Sequence, residues 1–286
     1  MNTSTTALRS SVSFLGKSLL VLAPFLASAT LSHAALLLQE NFNSSGPLNG
    51  QNGWTANANL NVVAGGLSYN NDSISISGGA YRAQSNVVVD AATPLAVNSF
   101  ASQSGEVWFS FTMQVVGTPN TASRYWFWVS DTTSINTGMT GAVGATVAGN
   151  NTIYSEIRTI STSTNQASSH NVAGGQTYFL VGRLSKEGPA IDSNVYDRME
   201  LWVNPTSTTL SDPTVSNRAG SAVTGGITYF GLTGVATAAD LAWDNLRVGT
   251  TQADVLDVYA IPEPSTYAAL VGLAALGLVT LRRRRA

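Results

Sequence analysis

The 286-residue chain contains no cysteine. That excludes disulfides, thiolate metal sites and cysteine nucleophiles. Export ordinarily permits disulfides, but a folded region of this length buries a core large enough to do without them. Charge is scarce too, at 10% of residues against about 25% in an average soluble protein. Gly, Ser, Thr and Asn fill the space and give a neutral, hydrogen-bonding surface. Histidine is nearly missing, with only His33 and His170, so a His-rich metal site or a Ser-His-Asp triad would have to rest on His170. The net charge of −2 is unevenly spread. Arg9 and Lys17 stand near the start and Arg282 to Arg285 at the end, which leaves eight basic and fifteen acidic residues, a net −7, over 35–261. With no Lys/Arg cluster to track a phosphate backbone, no nucleic-acid partner is expected.

What the chain does have is a recognisable segment at each end. Residues 1–34 read as a secretory signal: Arg9 and Lys17 make a positive first region and Leu19 to Ala27 an apolar run. Ser32-His33-Ala34 is a small-x-small site for signal peptidase. Cleavage after Ala34 starts the mature chain at Ala35, with Ala27-Ser28-Ala29 as a second site and an uncleaved anchor as the alternative.

At the other end stands "IPEPSTYAALVGLAALGLVTLRRRRA". Tyr267 to Leu281 is fifteen residues without a charge, a helix of about 22 Å at about 1.5 Å per residue. The hydrocarbon core is about 30 Å thick, so Arg282, Arg283, Arg284 and Arg285 would snorkel to the headgroups. Arginines favour the cytoplasmic side, which leaves everything before Pro262 outside. Pro262 and Pro264 bracket Glu263 and stop the helix from extending back into the domain. Gly272 and Gly277 are five apart, unlike the GxxxG dimer motif. Pro-Glu-Pro, Ser265-Thr266, an apolar run and terminal arginines together resemble the PEP-CTERM sorting signal of Gram-negative-type bacteria. The resemblance implies recognition by an exosortase, an integral-membrane enzyme like a cysteine protease. It also implies transient tethering in the inner membrane, removal of the tail, and delivery to the cell surface or extracellular matrix. The alternative is a plain anchor with a chance Pro-Glu-Pro.

Between the ends the hydrophobic period is two. In Glu106 to Val116, residues Val107, Phe109, Phe111, Met113 and Val115 share one face and Trp108, Ser110, Thr112, Gln114 and Val116 the other. Further strands are expected at 36–42, 60–64, 67–70, 73–77, 80–84, 86–89, 124–130, 153–160, 177–184, 198–203, 227–232 and 241–248. Gly-Gly pairs at 65–66, 78–79, 174–175 and 225–226 punctuate them. No helical stripe and no fixed repeat is evident, so an all-β sandwich is expected over 35–249. Residues 250–261 read as a linker with a last strand at 254–258. Glu40-Asn41-Phe42 and Trp243-Asp244-Asn245-Leu246-Arg247-Val248-Gly249 resemble the first and last strands of concanavalin A-like (laminin-G-like) jelly rolls. That resemblance implies that the two terminal strands lie together. The family spans lectins, glycan-binding modules, glycosidases and structural modules, so it does not fix function.

Catalytic signals are weak. A jelly-roll glycosidase needs two carboxylates about 5–10 Å apart, and no Glu-x-Asp-x-x-Glu string supplies them. Asp192 and Asp197 are the nearest spacing, with Asp197 and Glu200, which face opposite ways on a continuous strand and read as a loop acid and a solvated strand residue. His170, in a Ser/Asn/Gly-rich stretch, reads as a loop histidine. No cofactor is expected. Asn70-Asn71-Asp72-Ser73 and Asp192-Ser193-Asn194 offer oxygen ligands for Ca²⁺, but Asn/Asp turns look the same. Three strands place tryptophans opposite the aliphatic face: Trp108 beside Gln114, Trp126 with Trp128, and Trp202 with Glu200. Sugars offer C–H faces to rings and hydroxyls to amides, so these six residues are the candidate glycan site. The competing expectation is that loops cover this face, or that Trp126 and Trp128 are core. The leading expectation is an exported, non-enzymatic β-sandwich of the extracellular layer, structural or contacting extracellular polysaccharide. A polysaccharide-active glycoside hydrolase or lyase is the alternative, and a purely structural matrix protein a third reading.

Overall fold

The computed structural model describes residues 35–71, 73–85, 95–119, 124–133, 139–145, 152–158, 163–187, 195–218, 225–235, 240–256 and 259. The signal segment with Ala34, the sorting residues Pro262, Glu263 and Pro264, the span expected over 267–281 and Arg282 to Arg285 lie outside them, as does the strand expected at 86–89. Among the described residues no helix is long and apolar enough to cross a membrane.

Among the described residues, eighteen strands form two large antiparallel sheets and one small hairpin. The first sheet has nine strands. It contains β1 (Leu36–Glu40), β2 (Gly46–Pro47), β4 (Leu60–Ala64), β7 (Tyr81–Ser85), β9 (Val107–Val116), β14 (Thr177–Ser185), β15 (Arg198–Val203), β16 (Val215–Arg218) and β18 (Asp240–Gly249). Its order is β16-β15-β14-β9-β18-β7-β4-β2, with β1 also pairing β18. The second sheet has seven strands: β3 (Thr55–Ala56), β8 (Ala96–Gln103), β10 (Arg124–Ser130), β11 (Met139–Ala145), β12 (Thr152–Arg158), β13 (Ser163–Asn171) and β17 (Ile227–Val235), in the order β13-β12-β11-β10-β17-β8-β3. The hairpin is β5 (Tyr69–Asn70) and β6 (Ser75–Ile76).

The alternation read from the sequence sets the core. Val107, Phe109, Phe111, Met113 and Val115 of β9 meet Tyr125, Phe127 and Val129 of β10 and Phe230 and Leu232 of β17 between the sheets. Met199, Leu201 and Val203 of β15 join them. The Phe111 and Phe127 rings lie 4.1 Å apart across the two sheets. Terminal-strand pairing is as expected: Glu40 opposes Leu246 and Leu36 opposes Gly249. The expected all-β sandwich is the fold observed.

Two expectations are corrected. Residues 252–256 form a helix, α1 (Gln252–Leu256), where a linker with a strand at 254–258 was expected. Thr251 caps it reciprocally with Asp254: Asp254 Oδ2 accepts from Thr251 N at 2.9 Å and Asp254 N donates to Thr251 Oγ1 at 3.4 Å. His170 belongs to a strand, β13, and not to a loop.

The outer face of the first sheet carries a second apolar cluster. Trp108, Phe179, Val181 and Trp202 are covered there by Ile74 and Ile76 of the hairpin segment, by Leu210, and by Val255 and Leu256 of α1. Asn71 shapes the hairpin turn: its Oδ1 accepts from Ser73 N (2.9 Å) and Ile74 N (2.7 Å), and its Nδ2 donates to Pro205 O (2.7 Å). Here the Asn-rich stretch is a turn. Asp72, Asp192, Ser193 and Asn194 lie outside the described residues.

Candidate functional site

A cleft of about 450 Å³ lies on the second sheet, at its β3–β8–β17 edge. Thr55, Asn57, Val97, Ser99, Thr133 and Tyr229 line it. Ladder pairing brings these distant residues together. Thr55 opposes Val97, and Ser99 opposes Tyr229, which in turn opposes Ser130. On β8 the core takes Ala96 and Phe100, and the period of two turns Val97 and Ser99 outward into the cleft.

A buried carboxylate holds the cleft's near wall. Glu40, only 2% exposed, accepts from Phe42 N (2.8 Å), from Asn52 Nδ2 with both oxygens (3.1 Å each) and from Trp54 Nε1 (3.0 Å). Phe42 and Asn52 stand at φ 38° and 46°, left-handed values held by those bonds. Asn98 Nδ2 donates to Asn52 O at 3.1 Å and Asn57 N to Leu95 O at 2.8 Å. Trp54 is thereby fixed in the core, and Thr55 of β3 and Asn57 just after it are presented to the cleft. The described lining carries hydroxyls, an amide and one phenol ring, with no charged side chain.

Asp244 is a second buried carboxylate. Its Oδ2 accepts from Leu67 N (3.0 Å) and its Oδ1 from Asn245 N (2.7 Å). Burial pushes its carboxyl up to about 6, against the backbone donors, and nearby Glu40 adds to the rise. It sits at the bulge of β18 between Asp244 and Arg247, where Asn245 adopts φ 54°. Glu40 and Asp244 are thus neighbouring carboxylates, but their oxygens are engaged by structural donors beside the terminal-strand pair.

The open tryptophan face expected from the sequence is corrected. Trp108 and Trp202 do lie opposite the core, but each is 7% exposed. They stack at 5.7 Å and 17° beneath the cover of the outer cluster. Trp108 Nε1 donates to Glu106 Oε2 (3.0 Å) and Trp202 Nε1 to Ser211 O (2.9 Å). Trp128 lies on the other sheet and is fully buried, its Nε1 donating to Thr233 Oγ1 at 3.0 Å. Its indole packs over Gly231, where an added Cβ would come within 2.1 Å of the ring. The side chain of Trp126 lies outside the described ones. Gln114 donates to Gly175 O at 2.8 Å. Glu200 is not solvated: it is 5% exposed and ion-paired to Arg183 (2.6 Å) and Arg198 (2.8 Å). Asp197 is buried too, accepting from Glu187 N at 2.7 Å and pairing with Arg218 at 3.3 Å. Arg183 also lies 5.6 Å from the Trp108 ring centroid. The six candidates therefore divide between two sheets and do not converge.

The cleft residues were missed because they come from strands far apart in sequence. Thr251-x-x-Asp254, by contrast, is a visible capping signal for α1.

Comparison with known proteins accounts for the tail. Residues 260–285 match the PEP-CTERM protein-sorting motif. The chain is an exosortase-sorted exported protein, anchored transiently in the membrane through this PEP-CTERM segment. No match is found among curated proteins. Several solved structures resemble it. An endo-β-1,4-glucuronan lyase from the fungus Trichoderma reesei has 13% identity and a TM-score of 0.47, over 76% of this chain and 98% of that one. The T. cruzi calreticulin globular domain has 9% identity and a TM-score of 0.46, over 78% and 92%. The carbohydrate recognition domain of Emp47p has 10% identity and a TM-score of 0.44, over 75% and 94%.

Proposed function

We propose that this exported protein is a non-enzymatic component of the cell surface or extracellular matrix whose β-sandwich binds a neutral polysaccharide in the cleft of the second sheet. The observation that carries the reading is the lining. Thr55, Ser99, Thr133 and Asn57 offer hydroxyl and amide partners in the same cleft as the ring of Tyr229, and neutral sugars present hydroxyls and C–H faces to match. Hydrolysis of a glycosidic bond ordinarily uses a pair of carboxylates, and the described lining carries none, its one proton-transfer group being the Tyr229 phenol. That supports binding over hydrolysis.

The test is a glycan array probed with the purified exported protein, followed by titration of the best neutral glycan. Tyr229→Ala should weaken binding about tenfold, by loss of one ring contact of roughly 1–1.5 kcal/mol, and leave the melting temperature within about 3 °C. Binding that survives Tyr229→Ala unchanged, or that selects acidic glycans and fades with salt, overturns the reading. Turnover of a glycan that the Tyr229 variant abolishes would favour the enzyme instead.

A further inference from the structure

The sorting motif begins where a small docked segment ends. After β18 the chain turns at Gly249, where an added Cβ would lie 2.3 Å from Asp254, and runs back across the outer face of the first sheet. Ser110 Oγ of β9 donates to Val255 O at 2.7 Å. Arg247 Nε donates to Asp254 O at 2.8 Å. Val255 and Leu256 are fully buried. Tyr259 finishes the contact: its hydroxyl donates to Asn245 O at 3.2 Å and its ring stands edge-on to Phe179 at 5.7 Å. Burial pushes the Tyr259 hydroxyl up to about 12.

Two properties of this segment matter. The bonds named between it and the sheet are made by side chains to backbone carbonyls, and among the described residues no strand ladder includes it. It can therefore detach as a unit while both sheets stay paired, the behaviour of a low-stability terminal element. Secondly, the matched motif starts at residue 260, next to the docked Tyr259. Only Ala260 and Ile261 separate Tyr259 from Pro262, a span of at most about 10 Å at roughly 3.5 Å per residue. An enzyme that reads Pro-Glu-Pro as extended peptide needs free chain on both sides of it, and the folded sheet occupies one side.

We propose that residues 250–256 together with Tyr259 are a latch that withholds the sorting motif, and that release of this latch from the first sheet paces removal of the tail. Once released, the chain over 250–259 adds up to about 35 Å of reach. Processing itself breaks one peptide bond beside the motif. Written as hydrolysis, the domain keeps the acyl carbon as a carboxylate, the tail leaves with a new amino terminus, and water supplies the added oxygen and hydrogens.

The experiment follows tail removal from the full chain by pulse-chase in cells that contain the exosortase. Inserting ten Gly/Ser residues between Ala260 and Ile261 leaves every latch contact in place but moves the motif away from the sheet. It should speed processing at least threefold with an unchanged melting temperature. Tyr259→Ala, which loosens the latch directly, should speed it similarly. Processing of the insertion variant at or below the unmodified rate overturns the proposal, even if Tyr259→Ala is fast, because that pattern reports general destabilisation. A mature surface protein that retains Arg282 to Arg285 overturns it as well. The proposal is independent of the glycan reading, since no cleft residue is altered.

Discussion

Replacing Glu40 by Gln should separate the role of this buried carboxylate from that of the strand around it. Glu40 accepts four bonds from three donors: Phe42 N, Asn52 Nδ2 and Trp54 Nε1. Gln keeps one acceptor oxygen and replaces the other with an N–H₂ that must face Trp54 Nε1–H or the Asn52 amide. One charge-assisted bond is lost, worth about 1.5–3 kcal/mol, and a buried donor is stranded at about 1–3 kcal/mol. Removing the charge also relieves Asp244, but burial is the main cause of that group's raised pKa and Glu40 the least, so the relief is the smaller effect. A net cost of about 3 kcal/mol lowers the melting temperature by roughly 6–12 °C for a domain of this size. Thermal unfolding followed by near-ultraviolet circular dichroism reports it. A double-mutant cycle with Trp54→Phe, which removes the indole donor and leaves a packing cost that the cycle subtracts, should show a coupling of about 1 kcal/mol or more. A Glu40→Gln protein melting within about 2 °C of the parent, or a coupling near zero, would refute the reasoning. Because β3 is two residues long and pairs with β8 alone, the same variant should also weaken glycan binding through Thr55 and Asn57.

Further predictions concern the other buried groups. Asp244 has a folded-state pKa raised from 3.8 to about 6, so its contribution to stability is fully present below about pH 4 and lost as pH rises through about 6, by up to roughly 3 kcal/mol. Urea unfolding at pH 4 and pH 7 should show a smaller pH dependence in Asp244→Asn than in the parent, and equal dependences would count against the assignment. Trp202→Ala removes a covered ring stacked on Trp108 and should cost about 3–5 kcal/mol, measured by denaturant titration. Glycan affinity of the remaining folded protein should be unchanged, since the cleft is on the opposite sheet; a selective loss of affinity would restore the tryptophan face as the site.

Where side-chain alternation was strong, the sequence was legible. Val107 to Val116 shows which residues face the core, and Arg198 to Val203 shows its strand limits, because burying one face of a sheet imposes a period of two. β8, β11 and β13 were missed for the complementary reason. AVNSFASQ, MTGAVGA and STNQASSHN lack a sustained apolar alternation, and backbone ladders that any residue can join help set their place in the sheet. The tryptophans show a sharper limit. Periodicity put Trp108 and Trp202 on the correct side of the sheet, but it carries no information about what covers that side. Their cover comes from Ile74 and Ile76, more than thirty residues before Trp108, and from Val255 and Leu256, more than fifty after Trp202. The cleft was illegible likewise, since Thr55, Ser99 and Tyr229 meet only through pairings made after the chain has crossed between the sheets.

The two outer faces then take different tasks. The first sheet's outer face carries a second apolar cluster and docks α1 and Tyr259, the last described residue before the PEP-CTERM segment. The cleft opens on the outer face of the second sheet, across the full thickness of a sandwich whose sheets pack about 10 Å apart. The proposed glycan site and the proposed latch therefore occupy opposite sheets. The two proposals together predict equal glycan affinity in the tailed and the processed protein, because neither event needs the residues used by the other.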